Sequence, residues 1–143
     1  MKITGLSLRN FRNYLSLDLD LDRRLVFFTG PNGSGKTNVL EALALIAQGR
    51  SFRDVTDSDL LQHGENSFFV QVHFQNPASH KIEYGYEERD ESKRRRIKHN
   101  GKVLRSRAEL LGLLPAVAFL PADLQILEGG PQSRRRFFDS ILG

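Results

Sequence analysis

The feature that most restricts how this chain can fold is an eight-residue segment rich in glycine, residues 30–37, which matches the pattern G-x-x-x-x-G-K-[ST] in full. The segment reads Gly30, Pro31, Asn32, Gly33, Ser34, Gly35, Lys36 and Thr37. An apolar run at residues 25–28 precedes it, and strong helix formers occupy residues 36–48 after it. This context predicts a buried strand, a tight phosphate-binding loop and a buried helix, in that order.

The glycines of this loop have a specific conformational role. Gly30, Gly33 and Gly35 allow the backbone to take positive φ and to approach a ligand closely. Consecutive backbone N–H groups at the start of a helix, together with the positive end of the helix dipole, form a site for a dense anion. The loop therefore predicts binding of a nucleoside triphosphate.

The polar side chains of the loop fit the same ligand. Lys36 is expected to reach the β- and γ-phosphates as a point charge, and Thr37 is expected to offer its hydroxyl to Mg²⁺. Ser34 and Asn38 are candidates for further polar contacts at the helix start. The expected cofactors are ATP and Mg²⁺. An ordinary glycine-rich turn between a strand and a helix is the structural alternative.

Alternating apolar and polar residues predict several half-buried strands. They lie at residues 3–8, 15–21, 68–74 and 82–86. Asn100-Gly101 favours a type I′ turn, which predicts a basic hairpin between residues 94–99 and 102–104.

Further signals follow towards the end of the chain. Ser106 followed by Glu109 is a capping box that opens a short helix. Residues 116–120 form a second candidate for a buried strand, and Pro131 is placed in the first turn of a last helix.

Bulk composition limits the class of protein. The chain has 143 residues, enough for one domain, with no cysteine and no apolar run long enough to cross a membrane. Residues 1–91 carry 10 Lys/Arg and 13 Asp/Glu, whereas residues 92–143 carry 11 and 4. The basic part fits a polyanion such as DNA, and a solvated face that keeps the protein in solution fits equally well.

Hydrolysis needs an acidic residue at the end of a second buried strand, to hold Mg²⁺ and polarise water. No run of four apolar residues in this chain is followed by Asp-Glu. Residues 117–120 are apolar but lead into Pro121, and Asp123 suits a turn or a cap better than a metal site. We therefore assign no catalytic residue and expect the chain to bind ATP but hydrolyse it poorly.

Several segments together resemble the RecF family of DNA replication and repair ATPases. The resemblance covers nearly the whole chain, and it rests on the combination of motifs rather than on the loop, which many ATPases share. The segments are residues 8–14 (LRNFRNY), 38–42 (NVLEA), 49–53 (GRSFR), 119–124 (FLPADL), 129–131 (GGP) and 134–135 (RR).

This resemblance implies an α/β fold of the P-loop NTPase class, an ABC-type ATPase head lobe with a mixed parallel and antiparallel sheet around the helix of the loop. Residues 1–143 would form the N-terminal ATP-binding lobe, with the second lobe and the acidic Mg²⁺ motif lying further along. It also implies a cytoplasmic protein that dimerises on ATP, binds duplex DNA next to gaps, and acts with recombination mediator proteins to load recombinase.

The resemblance also suggests roles for residues outside the loop. Arg12 and Asn13, in the turn between the first two strands, are expected near the nucleotide, with a solvent-facing turn as the alternative. Eight basic residues are candidates for DNA contacts, with a solvated, charge-protected surface as the alternative. They are Arg50, Arg53, Lys93, Arg94, Arg95, Arg96, Arg134 and Arg135.

A different class of protein, a nucleotide or small-molecule kinase, uses the same kind of loop. Such kinases follow the loop with a parallel strand order and need an acceptor site and a lid. In this chain antiparallel-looking strands and a basic hairpin follow the helix, which favours the DNA-binding ATPase.

Overall fold

A computed structural model describes residues 1–90 and 92–124 and the single positions 130, 132 and 135. Its longer elements are β1 (Lys2–Phe11), β2 (Tyr14–Asp20), α1 (Lys36–Gln48), β3 (Ser67–Asn76), β4 (Ala78–Arg89) and β5 (Ser92–His99). The shorter ones are β6 (Lys102–Val103), α2 (Arg107–Leu110) and two 3₁₀ turns, Asp57–Leu60 and Pro121–Leu124. The predicted helix of the loop is confirmed at its predicted bounds.

The strands form one six-stranded sheet in the order β2-β1-β3-β4-β5-β6, and every pairing is antiparallel. The predicted strands at residues 3–8, 68–74 and 82–86 are confirmed as parts of β1, β3 and β4. The predicted basic hairpin is confirmed as β5 and β6, and Asn100 and Gly101 take φ values of 49° and 83°. Short turns join β1 to β2 and each of β3 to β6 to the next strand, whereas β1 pairs with β3 across residues 12–66, which include β2 and α1.

Alternation along β2 is weaker than the sequence suggests. Leu17 and Leu19 are half-buried and face Leu8 and Leu6 of β1, but Leu15 is exposed. β2 is one of the two edge strands of the sheet, so its core-facing side chains are covered on one flank only.

One face of the sheet packs against α1. The helix buries Val39, Ala42, Leu45 and Ile46, and the sheet contributes alternate residues of β1, β3 and β4. These are Leu6, Leu8, Phe11, Phe68, Val70, Val72, Phe74, Ile82, Tyr84 and Tyr86. Each large side chain fully buried in this way contributes about 1.5–3 kcal/mol to stability. The packing fixes the start of α1, and with it the phosphate loop, against the β1–β2 hairpin.

Two strand predictions were wrong. Residues 25–28 and 116–120 belong to no strand, and Leu25, Phe27, Val117 and Phe119 are 70%, 78%, 96% and 71% exposed. An apolar run becomes a strand buried on both faces only when neighbouring strands pair with it. None of the described strands pairs with either segment, so the parallel part of the predicted mixed sheet is not among the described strands.

The short elements near the end follow their local signals. Ser106 Oγ accepts a hydrogen bond from the backbone N–H of Glu109 at 3.3 Å, which confirms the Ser106 half of the predicted capping box of α2. Asp123 Oδ2 accepts the backbone N–H of Leu120 at 2.6 Å, as expected of a turn residue. The predicted helix beginning near Pro131 lies outside the described residues. Within the part of the chain that the structure describes, no helix has the length and apolarity needed to cross a membrane.

Candidate nucleotide-binding site

The phosphate loop has the backbone conformation that its glycines predict. Gly30, Gly33 and Gly35 take φ values of 145°, 80° and 98°, which confirms that all three need positive φ. Residues 31–34 are exposed, so the loop is open to solvent. L-residues with a side chain rarely adopt these conformations.

Several backbone amides of the loop have no hydrogen-bond partner among the described residues. Among the hydrogen bonds of the described residues, none uses the backbone N–H of Gly33, Gly35, Lys36 or Thr37 as donor. These groups lie at the N-terminus of the 13-residue helix α1, where the helix dipole favours negative charge. Four free donors at a helix start form a site for the oxygens of a phosphate chain.

The Lys36 ammonium group lies across the loop. Its Nζ donates to the carbonyl oxygens of Gly30 and Pro31, both at 2.7 Å, and Ser34 Oγ lies 3.5 Å away. The cation is thus held at the loop by its own backbone, and it uses carbonyl oxygens rather than the amides. A phosphate chain placed on the amides would meet this positive charge directly.

The β1–β2 hairpin packs tightly against the loop. Tyr14 donates its hydroxyl proton to the Ser34 carbonyl at 3.3 Å. A Cβ built on Gly35 would lie 2.6 Å from Tyr14 Cζ and 2.7 Å from Asn13 Nδ2, closer than carbon atoms in proteins approach such groups. Gly35 is therefore required both for its positive φ and for this close approach.

We expect Gly35→Ala to destabilise the chain more than Gly33→Ala, because the two positions differ only in their surroundings. Both have positive φ, which costs an alanine about 1–2 kcal/mol, but a Cβ on Gly33 has nothing within 4 Å. Urea unfolding of the two variants measures the difference. Equal losses of stability would contradict the packing of Tyr14 and Asn13 on the loop.

A buried carboxylate fastens the surrounding segments to α1. Glu41 is fully buried and accepts from Arg12 Nε at 2.9 Å and Nη2 at 2.7 Å, from Arg53 Nη1 at 2.9 Å and from Ser51 Oγ at 2.5 Å. Arg53 Nη1 also donates to Asn38 Oδ1 at 3.0 Å. These partners come from the β1–β2 turn and from the segment after α1, so one carboxylate joins three parts of the chain.

Residues predicted to contact the nucleotide are brought together at the first turn of α1. Asn38 Nδ2 donates to Asn13 Oδ1 at 2.8 Å, next to the loop. Arg12, with φ 55°, turns its guanidinium group towards Glu41 and also donates to the Asp59 carbonyl at 2.7 Å. Asn13 therefore lies beside the phosphate loop, whereas the Arg12 guanidinium group contacts Glu41 and the Asp59 carbonyl rather than the loop. Thr37 is exposed at the helix start, where its hydroxyl fits as one oxygen ligand of Mg²⁺.

The basic residues of β5 fall on two sides of the sheet. Lys93 Nζ contacts Ser58 Oγ and Glu88 Oε1, and Arg95 Nη1 lies 3.7 Å from Asp57 Oδ2. Both side chains therefore contact the 3₁₀ turn Asp57–Leu60. Glu88 raises the pKa of Lys93, which keeps this amine charged and paired. Arg94 and Arg96 point to the opposite side, where they are exposed and make no ion pair within the described residues.

The other candidates for DNA contact are more scattered. Arg53 is turned inward to Glu41 and Asn38, and its side chain is 35% exposed. Arg50 and Arg135 are exposed, and Arg134 lies outside the described residues. Lys93 and Arg95 are exposed as well but are paired, so the exposed basic residues of β5 without an ion pair among the described residues are Arg94 and Arg96.

Sequence reasoning overlooked Glu41, Ser51 and Tyr14. A signal for Glu41 was present, because it is the one acidic residue in a helix that is otherwise apolar nearly all round. Such a residue is buried only when cations pair with it. No sequence pattern around Tyr14 indicates its contact with the phosphate loop, because that contact depends on how the β1–β2 hairpin packs against Gly35.

Comparison with known proteins assigns the family. Residues 5–117 match the AAA domain family. The chain belongs to this AAA domain family. The match includes the phosphate loop, α1 and the sheet up to β6 and α2.

Relatives of known name confirm the resemblance to RecF. The chain is 38% identical over 143 residues to the DNA replication and repair protein RecF of Leptospira interrogans serogroup Icterohaemorrhagiae serovar copenhageni (strain Fiocruz L1-130). It is 37% identical to the RecF protein of Thermoanaerobacter sp. (strain X514). In both comparisons 99% of this chain is covered and 39% of the relative.

Solved structures agree with the fold. The recombination mediator protein RecF-ATPrS in the RecFOR pathway superimposes with a TM-score of 0.83 at 33% identity, covering 98% of this chain and 38% of that one. The RecF-ATP structure gives 0.79 at 34% identity, covering 96% and 37%. The predicted P-loop NTPase fold of the ABC-type ATPase head is confirmed. The chain spans about 39% of the length of the curated relatives that it matches.

Proposed function

We propose that this chain is the ATP-binding lobe of a protein for DNA replication and recombinational repair, and that residues 30–38 hold the triphosphate with Asn13 beside them. The observation that carries the proposal is the set of four free backbone amides at the start of α1, with the Lys36 ammonium group across them. RecF structures with ATP and ATPrS superimpose on nearly the whole chain, which supports the same ligand. Thr37 would contribute its hydroxyl to Mg²⁺.

The wider activity is part of the same proposal. The full-length protein would act in the cytoplasm, form a homodimer on ATP, bind duplex DNA next to gaps and cooperate with recombination mediator proteins. The relatives' names and the RecFOR pathway support this role. Residues 1–143 would bind ATP and hydrolyse it poorly, because the sequence has no apolar strand ending in Asp-Glu.

Two assays test this function against a kinase. Duplex DNA binding is measured over a range of salt concentrations, with and without MgATP, and transfer of phosphate from ATP to nucleosides is measured in parallel. We expect salt-dependent DNA binding and no nucleoside phosphate. Phosphate transfer without DNA binding would reject the repair function in favour of a kinase.

We expect the double variant Arg94→Ala/Arg96→Ala to weaken DNA binding. Each phosphate contact that is lost lowers the slope of log K against log salt by about 1, so the pair should lower it by about 2 if both residues contact phosphate. The matched control is Arg23→Ala/Arg24→Ala, which removes two exposed arginines that follow the opposite edge strand β2. Equal effects of the two double variants would contradict a DNA surface at β5.

A further inference from the structure

Two histidines, His80 of β4 and His99 of β5, form a hydrogen-bonded pair near the end of the sheet. His80 Nδ1 and His99 Nε2 are 3.0 Å apart, and the two rings stack with their centroids 5.2 Å apart. The His80 ring also stacks on Phe74 of β3, at 5.0 Å. The register partners of the two histidines, Phe74 and Ile82, belong to the hydrophobic core. Both rings therefore lie on the face of the sheet that packs against α1.

The contacts of His80 decide where its proton lies. Its Nε2 is 3.1 Å from the Asn76 carbonyl oxygen, which can only accept, so Nε2 carries a proton. In the neutral ring Nδ1 is then an acceptor, and His99 Nε2 donates to it. If His80 takes up one more proton, its Nδ1 donates instead to a His99 ring whose own proton is on Nδ1. The contact therefore survives one extra proton on the pair, whereas a second one would place two N–H groups face to face.

The charges on the neighbouring strands oppose that second proton. Burial, and then the positive charge of His80, lower the pKa of the His99 ring. Lys102, the register partner of His99 on β6, is exposed on the same side and adds positive charge. Lys81 and Lys98 follow and precede the pair along their strands, and alternation places them on the opposite face. Neither histidine forms an ion pair with any of the described residues.

The two helices supply no compensating carboxylate either. Glu41 is the one carboxylate of α1, and it is bonded to Arg12 and Arg53. Glu109 is the one carboxylate of α2, and it is exposed and forms no ion pair within the part of the chain that the structure describes. A doubly protonated pair would thus carry two adjacent positive charges without a counter-charge.

We propose that His80 and His99 form a pH-sensitive contact that holds the β5–β6 hairpin against β4 at neutral pH and releases it on acidification. Little else fastens this end. The Asn100 N–H donates to the Lys81 carbonyl at 2.8 Å, and the Leu104 N–H donates to the Ile97 carbonyl at 2.9 Å. β6 itself is two residues long. The contact involves no residue of the phosphate loop, so the proposal is independent of the proposed function.

The direction of the pH dependence follows from proton uptake. The pKa of His99 is lowered in the closed hairpin, so the open hairpin binds more protons, and the closed form loses stability as the pH falls through the ordinary value of 6.5. At about pH 5.5, one unit below that value, protonation of an open His99 ring favours opening by up to about tenfold. At about pH 7.5 the open ring stays neutral and this effect is absent.

Amide hydrogen exchange at these two pH values tests the proposal, with each rate expressed as protection relative to the unfolded chain. In the wild type we expect the protection of the Asn100 and Leu104 amides to fall by up to about tenfold at the lower pH. The Leu21 amide is the internal reference, because it donates to the Thr4 carbonyl at 3.0 Å near the opposite edge of the sheet. Its protection should stay the same.

His99→Gln is the decisive variant. Glutamine takes up no proton in this range but keeps an amide N–H that can donate to His80 Nδ1, so the fall in protection at Asn100 should disappear. The matched control is His63→Gln, which makes the same change at an exposed histidine outside the pair. It should behave like the wild type.

The other results would overturn the proposal. Protection of Asn100 that is equal at both pH values in the wild type would show that no release occurs. A fall at Leu21 as large as that at Asn100 would mean general loss of stability, and an undiminished fall in His99→Gln would place the cause elsewhere. Should His99→Gln not fold, the imidazole ¹⁵N signals of the wild type decide: two separate titration steps support the shared proton, and a single common step overturns it.

Discussion

Lys36→Ala is expected to remove most of the ATP affinity of this chain while leaving its fold intact. A hydrogen bond to a charged group is worth about 1.5–3 kcal/mol, which corresponds to a roughly 10- to 150-fold loss. The fold should survive because the ammonium group bonds only within the exposed loop, to the Gly30 and Pro31 carbonyls and to Ser34 Oγ, and lies outside the hydrophobic core. Titration calorimetry with MgATP measures the affinity, and circular dichroism checks the fold.

Lys102→Ala is the matched control for this experiment. Lys102 is exposed on β6, at the far edge of the sheet, so its loss should leave the ATP affinity unchanged. If wild type and Lys36→Ala bound ATP equally well, Lys36 would have no place in the phosphate site.

Glu41→Gln should cause the largest loss of stability of any single change discussed for this chain. Removing one partner of a buried ion pair costs about 3–5 kcal/mol, and we expect a loss at the lower end of this range because the Arg12 and Arg53 side chains are 19% and 35% exposed. In this case two guanidinium groups, those of Arg12 and Arg53, would lose their carboxylate. Urea unfolding followed by circular dichroism measures the free energy of unfolding.

The matched control makes the same glutamate-to-glutamine change at an exposed position. Glu65 is exposed and accepts one hydrogen bond, from Asn10 Nδ2 at 2.8 Å, so Glu65→Gln should change stability by about 0.5 kcal/mol or less. A Glu41→Gln variant as stable as Glu65→Gln would show that the buried ion pairs do not hold the site together.

Features that depend on neighbouring residues in the chain could be predicted from sequence. The bounds of α1, the positive φ values of Gly30, Gly33 and Gly35, and the turn at Asn100-Gly101 all follow from local conformational preferences. The pairings of β3 with β4 and of β4 with β5 could also be predicted, because a tight turn joins the two strands of each pair.

Features that depend on distant partners could not be predicted in this way. Residues 25–28 and 116–120 are as apolar as buried strands, but apolarity does not supply a strand to pair with. Glu41 meets Arg12 from 29 positions away, and no local pattern indicates that contact. Alternation along β5 predicts that Arg94 and Arg96 lie on one face of the sheet and that Lys93 and Arg95 lie on the other. Only the position of the 3₁₀ turn Asp57–Leu60 shows that Lys93 and Arg95 are the pair that contacts other side chains.

Nuclear magnetic resonance can observe whether the free amides at the start of α1 receive the phosphates. In a ¹⁵N-labelled chain, addition of MgATP should shift the amide signals of Gly33, Gly35, Lys36 and Thr37 more than those of the outer strands β5 and β6. Tripolyphosphate should shift the same four signals. Binding of ATP that left these four signals unshifted would show that the phosphates do not lie on these amides.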